Sequence, residues 1–172
     1  MTGIISAVPN LSLRSYTEDD GPALLRVLGV PEVARWLLPA GRTQPYSEAE
    51  CATRARAGAA HWRAHGFGPW VVAEHGRTVA CGGLDLRLLD GNAELELAWA
   101  VVPQAWGRGI ATSIGHKALA LASTHGALSA IALTRIDNLA SRRVMDKLGM
   151  DCGRELQHAG FAHVLYRVAL GP

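Results

Sequence analysis

The sequence is poor in cysteine, and its cysteines follow no pattern typical of a disulfide framework or a zinc site. Three are present among 172 residues, Cys51, Cys81 and Cys152, and none belongs to a Cys-x-x-Cys or other metal-type spacing. An odd number of widely separated thiols predicts reduced cysteines in an intracellular protein. None has an evident neighbouring base, so the sequence does not indicate a thiol nucleophile.

Long hydrophobic runs are also missing. Histidine, serine and glycine interrupt the apolar segments well before the ~18 residues that a transmembrane helix needs. The first ten residues, MTGIISAVPN, have neither a basic start nor an apolar stretch long enough for a signal peptide. We therefore expect a soluble, cytoplasmic protein that contacts no membrane.

Charge is nearly balanced, and patterns typical of metal sites are absent. The 17 Lys and Arg residues against 15 Asp and Glu residues give a net charge of +2, which is too small to indicate nucleic acid as a partner. His61 and His65 lie four residues apart on a predicted helix, but no acid or third ligand accompanies them. We interpret them as a surface pair and expect neither a metal nor a nucleic-acid partner.

What the sequence has is an alternation of strand-like and helix-like segments without repeats or linkers, as expected of one domain spanning residues 1–172. Antiparallel hairpins followed by a β-α-β crossover predict an α+β fold, with a mixed, mostly antiparallel twisted sheet and helices on both faces. The predicted order is β-α-α-β-β-β-α-β-α-β-β. The predicted strands are 11–16, 69–75, 77–89, 93–102, 128–134 and two around Ala159-Gly160, and the predicted helices follow Thr17, follow Ser47 to about His65, and cover 108–125 and 139–148.

Two of the predicted helices begin with recognisable signals. Ser47 with Glu50 three residues later is typical of a capping box. After Thr17, the segment EDDGPALLRVL (18–28) places acidic residues where we expect the first helical turn.

The stretch QAWGRGIATS (104–113) is a glycine-containing turn between a predicted strand and a predicted helix. Unpaired N–H groups at such a helix start favour an anion, and Arg108 adds a charged donor. The Walker pattern fails because no lysine follows a correctly spaced glycine, and the dinucleotide pattern fails because Thr112 stands at its third glycine position. The turn alone is either a phosphate site or a simple chain reversal.

Two motifs around this turn resemble those of the GCN5-related N-acetyltransferases, the GNAT family. Q-x-x-G-x-G-x-A, from Gln104 to Ala111, follows a strand that carries Glu96, and N-x-x-S-x-x-V-x-x-K-L-G-M runs from Asn138 to Met150. The resemblance is densest over residues 94–150, and the order of elements extends it over about residues 10–170. Within the family, the chain is most similar to the ribosomal-protein N-terminal acetyltransferases, the RimJ/RimL-like branch.

The resemblance implies acetyl-CoA as co-substrate. It implies that the strand ending at Val101 and Val102 diverges from the next strand, so that the pantetheine arm pairs there, and Pro103 supports this because proline cannot donate to a ladder. It also places Asn138 on the pantetheine.

The predicted helix after Asn138 has a basic face formed by Arg142, Arg143 and Lys147. This face is either solvated surface or, through Arg143, a contact to the 3′-phosphate. The residues implied to hold the pyrophosphate are Gln104, Gly107, Arg108, Gly109, Ile110, Ala111 and Thr112.

Acetyl transfer to an amine requires a neutral nucleophile, and at pH 7 deprotonation costs about 4–5 kcal/mol for lysine but about 1 kcal/mol for an α-amine. Glu94 and Glu96 share one strand face with two alanines, and the resemblance makes Glu96, eleven positions before Gly107, the catalytic base. The alternatives are Glu94 as the base and a solvated face with two exposed acids. The resemblance also places Ser141 near the thiol, where its hydroxyl would hydrogen-bond a developing thiolate. The alternative for Asn138 and Ser141 is helix capping.

These observations predict an enzyme that transfers an acetyl group from acetyl-CoA to a primary amine by direct attack in a ternary complex. The acceptor is either a protein N-terminal α-amine or a small-molecule amine, and the protein a monomer or a homodimer. A non-catalytic acyl-CoA-binding sensor or interaction module is the alternative. The candidates for the acceptor wall are Trp36, Tyr46, Trp62, Trp70 and Trp99.

Overall fold

The computed structural model of the protein describes residue 8 and residues 10–171. It contains one seven-stranded sheet in the order β1-β2-β3-β4-β5-β7-β6, with helices packed on it, which confirms the predicted α+β class. The strands are β1 (Leu11–Ser15), β2 (Pro69–Glu74), β3 (Arg77–Leu89), β4 (Asn92–Val101), β5 (Ser129–Arg135), β6 (Asp151–His158) and β7 (Phe161–Ala169). The helices are α1 (Gly21–Leu28), α2 (Pro31–Ala34), α3 (Glu48–His65), α4 (Ile110–Thr124) and α5 (Leu139–Lys147), with a 3-10 turn at Pro103–Ala105.

All neighbouring strands of the sheet are antiparallel except β4 and β5. These two run parallel and pair only at Glu96–Ile131 and Leu97–Ala132. Beyond Leu97 they diverge, as the resemblance implied, and leave a cleft between the carboxyl halves of two central strands. Because β4 and β5 are parallel, the segments that follow them lie at the same edge of the sheet.

The sheet separates two hydrophobic cores. Adjacent residues of one strand point to opposite faces, and Val71 belongs to one core whereas Val72 belongs to the other. The same holds for Cys81 and Ala80 on β3. Helices α1 and α3 cover the first face, and α4 and α5 cover the second.

The two helix starts behave differently. Ser47 and Glu50 form the predicted capping box, in which the Ser47 hydroxyl accepts from the Glu50 amide and the Glu50 carboxylate accepts from the Ser47 amide at 2.8 Å. The prediction of an acidic first turn in α1 was wrong, because α1 begins only at Gly21. The Asp20 carboxylate instead accepts hydrogen bonds from Arg14, at 2.6 and 2.7 Å, and from the Thr17 amide at 2.6 Å.

Among the residues that the structure describes, no helix is long and apolar enough to cross a bilayer.

Candidate active site

The glycine turn lies between the end of β4 and the start of α4. Gly107 and Gly109 have φ values of +73° and +79°, in the left-handed region that favours glycine. A Cβ added at Gly107 would meet nothing within 4 Å, and one at Gly109 only a Val8 methyl group at 3.9 Å. The glycines are therefore needed for the backbone conformation, and the space in front of them is open to a ligand.

The amides of this turn are available. The first helical hydrogen bond of α4 joins the Ser113 amide to the Gly109 carbonyl at 2.9 Å. Within residues 10–171, the six amides of residues 107–112 have no hydrogen-bond partner. Unpaired amides at the start of a 15-residue helix form a site for an anion. The Ile110 side chain is buried, so only its backbone amide could make the predicted contact with a pyrophosphate.

Arg108 points toward β2. Its guanidinium forms a two-point ion pair with the carboxylate of Glu74, with N–O distances of 2.5 and 2.9 Å. A phosphate in the turn would therefore compete with Glu74 for this side chain. Within the described part of the chain, the side chains of Gln104, which is exposed, and Thr112, which is half-buried, make no hydrogen bond.

Alternate residues of β4 direct their backbone N–H and C=O groups into the cleft between β4 and β5. The Val102 amide donates to the Val79 carbonyl at 2.9 Å, and its carbonyl accepts from the Ala105 amide, so both backbone groups of Val102 are engaged. By the alternation of an antiparallel pair, the N–H and C=O of Val101 point away from β3 into the cleft. Those of Trp99, two residues earlier, do the same. The sequence motifs indicate no role for the backbone of Trp99, although the two-residue period of a strand aligns it with Val101.

The mouth of this cleft holds a second tryptophan that the sequence reasoning did not single out. The Trp106 indole N–H donates to the Val101 carbonyl at 2.6 Å, and the ring is half exposed. The bond places an exposed aromatic ring between the glycine turn and the free edge of β4.

The start of α5 lies at the same edge of the sheet as the turn, because β5 ends there. Asn138 is the N-cap of this helix, and its side-chain oxygen accepts from the Ser141 amide at 3.2 Å, as the capping interpretation predicted. Arg142 donates to the Tyr166 hydroxyl at 3.2 Å. Arg143 is exposed and has no ion-pair partner among the described residues.

The two glutamates of β4 are both ion-paired rather than solvated. Arg87 donates to Glu96 at 2.7 and 2.8 Å, and Arg167 donates to Glu94 at 2.7 and 3.0 Å. Burial raises the pKa of Glu96 above its ordinary value, and the effect outweighs the opposing effect of Arg87. The hydrogen bond from Arg167 lowers the pKa of Glu94. Of the two, Glu96 is the better proton acceptor.

A pocket of about 750 Å³ lies between α3 and the hairpin of β3 and β4. We call it the acceptor-side pocket. Of the five predicted aromatic residues, Tyr46 lines it with its side chain, whereas Trp99 borders it only with its backbone because its ring packs against the core on the other face. Trp62 and Trp70 pack in or against the core on the other face, and Trp36 lies beneath the guanidinium of Arg35. The other large side chains of the wall include Tyr16, Leu28 and Leu37.

One wall of the acceptor-side pocket carries a histidine–aspartate pair. His61 Nδ1 lies 3.2 Å from Asp85 Oδ1, and the Nε2 atom is buried without a partner among the described residues. The prediction of a surface pair was wrong for His61, since its ring packs on His65 at 4.5 Å and on Phe67 at 5.2 Å. No group of three or more metal-ligating side chains occurs in the part of the chain that the structure describes.

The divergent parallel strands, the glycine turn and the free amides form the same arrangement that the two sequence motifs indicated. The family model for the acetyltransferase (GNAT) domain matches residues 10–151. The chain belongs to the GNAT acetyltransferase family. The match includes both glutamates of β4, the glycine turn and α5.

Solved GNAT structures share the fold at low sequence identity. A GNAT-family protein from Bordetella pertussis is 22% identical, with 92% of this chain and 95% of that one covered and a TM-score of 0.75. A Salmonella typhimurium acetyltransferase, determined with its cofactor acetyl-CoA, is 18% identical over 95% of each chain, with a TM-score of 0.74. A ribosomal-protein-alanine N-acetyltransferase from Brucella melitensis is 20% identical over 92% of this chain and 99% of that one, with a TM-score of 0.74.

Proposed function

We propose that this GNAT protein is an N-acetyltransferase that transfers the acetyl group of acetyl-CoA to a primary amine by direct attack in a ternary complex. The observation that carries the proposal is the row of six unpartnered amides at residues 107–112, beside the cleft between β4 and β5. A pyrophosphate needs several converging donors, and backbone amides at a helix start supply them without reorganisation.

Several residues suit the pyrophosphate, the pantetheine and the 3′-phosphate of acetyl-CoA. The amides of residues 107–112 would hold the pyrophosphate, and the cleft-facing backbone groups of Trp99 and the amide of Val101 would pair with the pantetheine, since the Val101 carbonyl already accepts from Trp106. Asn138 lies at the same edge of the sheet to contact the pantetheine, and the unpaired Arg143 is available for the 3′-phosphate. The Salmonella relative, determined with acetyl-CoA, supports this assignment. When bound, acetyl-CoA supplies the activated acetyl thioester.

Glu96 and Ser141 complete the proposed mechanism. Glu96 accepts the proton of the incoming amine, directly or through a water molecule, and the raised pKa of its carboxyl suits it to this role. Arg87 keeps the carboxylate fixed while leaving lone pairs free for a proton. Ser141, in the first turn of α5, hydrogen-bonds the sulfur as negative charge develops there.

The acceptor we propose is an α-amine, in a protein N-terminus or in a small molecule. The low cost of deprotonating an α-amine at neutral pH matches a single carboxylate base. The Brucella relative, described as acting on a ribosomal protein, supports membership of the RimJ/RimL-like branch.

Calorimetric titration with CoA and acetyl-CoA tests the cofactor site. We expect micromolar binding, weakened at least about tenfold by Gly109→Val because a branched side chain strains the left-handed backbone and enters the open space. Gly126→Val is the matched control, since Gly126 has a φ of +73° and equally open surroundings just beyond the other end of α4.

Thiol release over a panel of amines then tests the reaction. Release that depends on the amine supports the transferase. Binding without release from any amine would identify the protein as the acyl-CoA-binding module instead, and absence of binding by the folded protein would reject both functions.

A further inference from the structure

The acceptor-side pocket has a cationic side chain at one end and a histidine–aspartate pair at the other. Arg54 and His61 both stand on α3 and both line the pocket. Seven residues separate them, which corresponds to about 10 Å along the helix axis. Tyr46 supplies aromatic surface to the wall of the pocket.

One end of the pocket carries a cation without a counter-ion. The Arg54 guanidinium lies 5.2 Å from the centre of the Tyr46 ring, and no carboxylate lies within 4 Å of it among residues 10–171. The nearby carboxylate of Glu50 is already occupied by Arg42 at 2.6 and 2.8 Å. With that pair neutral, the net charge at this end is positive.

The other end is acidic. Asp85 stands directly opposite Glu96 in the pairing of β3 with β4, and Arg87 neutralises Glu96. The Asp85 carboxylate has only His61 as its ion-pair partner in the described structure, and burial lowers the pKa of His61, which keeps the ring neutral. The ring then donates from Nδ1 to Asp85 and leaves the lone pair of Nε2 without a donor. This end therefore carries one negative charge, on the exposed Asp85 carboxylate, which suits an ammonium group, and behind it one buried acceptor without a donor.

We propose that the acceptor is an amine that carries a carboxylate about 10 Å from its nitrogen, with Arg54 binding the carboxylate and the Asp85–His61 pair receiving the amine. The inference rests on the proposed acetyltransferase function and specifies its acceptor. An extended chain advances about 3.3–3.6 Å per residue, so the span corresponds to about three residues of peptide. The carboxylate is either the C-terminus of a tripeptide or an acidic side chain near the start of a longer chain.

The test compares peptides that differ only in this charge. Alanyl-alanyl-phenylalanine is offered as the free acid and as the C-terminal amide, and an amidated pentapeptide is offered with Asp or with Asn at position three. We expect the natural protein to have a KM about tenfold lower for the charged member of each preferred pair, because a charge-assisted hydrogen bond is lost in the other. Preference within the first pair identifies a C-terminus, and preference within the second an acidic side chain.

Substitutions on α3 test whether Arg54 causes the preference for peptides that carry the carboxylate. We expect Arg54→Ala to abolish the difference between charged and uncharged peptides while leaving kcat and the affinity for acetyl-CoA unchanged, and Arg54→Lys to restore part of it. Arg56→Ala is the matched control, since Arg56 is an exposed residue of the same helix that does not line the pocket. Thermal melting verifies that each variant is folded.

Calorimetric titration of the peptides without acetyl-CoA separates the two hypotheses. Arg54-dependent binding of the charged peptides without any acetylation would reject the transferase and leave the binding site standing. Acetylation that is indifferent to the carboxylate, or equally impaired by Arg54→Ala for both members of a pair, would overturn the inference and leave the transferase standing. Absence of binding and turnover with all four peptides would also overturn it.

Discussion

Arg87 donates through a single nitrogen, Nη1, to both carboxylate oxygens of Glu96, at 2.7 and 2.8 Å. Its second nitrogen, Nη2, lies 3.1 Å from Nε2 of His158 on β6. The guanidinium therefore ties the proposed base on β4 to the last hairpin of the sheet. Burial still raises the pKa of Glu96 against this favourable charge, so the carboxylate is held in place without losing its basicity.

Replacing Glu96 by Gln removes the proposed base and keeps its shape. We expect kcat to fall about 100-fold or more, because general-base catalysis typically contributes this much, with acetyl-CoA affinity nearly unchanged. Glu94→Gln is the matched control, since Glu94 has the same kind of arginine partner and a lowered pKa, and it should retain activity. Steady-state kinetics with titration of acetyl-CoA decides the matter, and full activity of the Glu96→Gln variant would remove Glu96 from the mechanism.

Replacing Arg87 by Met should move the pH dependence of the reaction. The base acts in its ionised form, and loss of the cation raises the pKa of Glu96 further. We therefore expect the acidic limb of the kcat/KM profile to shift to higher pH, with a greater loss at pH 6 than at pH 8. Arg167→Met removes the partner of Glu94 and should leave the profile in place. Equal shifts in both variants would contradict the assignment of Glu96 as the titrating group.

The elements of this fold were predictable because their signals are local. Strand and helix periods are visible within each segment, and the capping box of Ser47 and Glu50 lies within one turn. The start of α1 was not predictable from the sequence. The Asp20 carboxylate accepts hydrogen bonds from Arg14 of β1 and does not belong to the helix. That choice depends on how the strand and the helix pack, which no local pattern contains.

The backbone features of the candidate site were more predictable from the sequence than the contacts between its side chains. The glycine turn follows from φ requirements that glycine alone meets easily. The pairing of Arg87 with Glu96 depends on the register of β3 against β4, and the contact of His61 with Asp85 joins residues 24 positions apart on different elements. The sequence reasoning therefore found the glutamates without their arginines, and found His61 without its aspartate.

We expect Glu74 to compete with a bound phosphate for Arg108. Its carboxylate is largely buried and pairs with the exposed guanidinium beside the turn. Glu74→Gln should therefore release Arg108 and remove a negative charge near an anionic ligand. An ion pair at the surface is worth about 0.2–1 kcal/mol, and the exposed guanidinium puts this one near that range, so we expect acetyl-CoA to bind up to about fivefold more tightly.

Titration calorimetry at low and high salt measures this effect. The gain should shrink at high salt, because screening weakens interactions between exposed charges. Glu32→Gln, on α2, is the control for a general loss of negative charge. Weaker binding by the Glu74→Gln variant would show that the pair holds Arg108 in its binding position instead of withdrawing it.

Glu50 should govern part of the acid stability. Its hydrogen bonds from Arg42 and from Ser47 lower its pKa to about 2. A carboxyl group whose pKa is lower in the folded state contributes stability above its unfolded pKa of about 4.3, and this contribution disappears as the pH falls toward 2. Glu50→Gln should therefore lower the free energy of unfolding at pH 6 and differ progressively less from the natural protein as the pH approaches 2.

Urea unfolding at a series of pH values measures the difference. Glu48→Gln, on the first turn of the same helix, is the comparison, and its effect should be smaller at pH 6 because it lacks the pairing with Arg42 and the Ser47 cap. A constant difference between the Glu50→Gln variant and the natural protein from pH 6 to pH 2 would mean that the side chain stabilises α3 through packing and neutral hydrogen bonds. Convergence at low pH would show that the stabilisation comes from the charged form of the capping box.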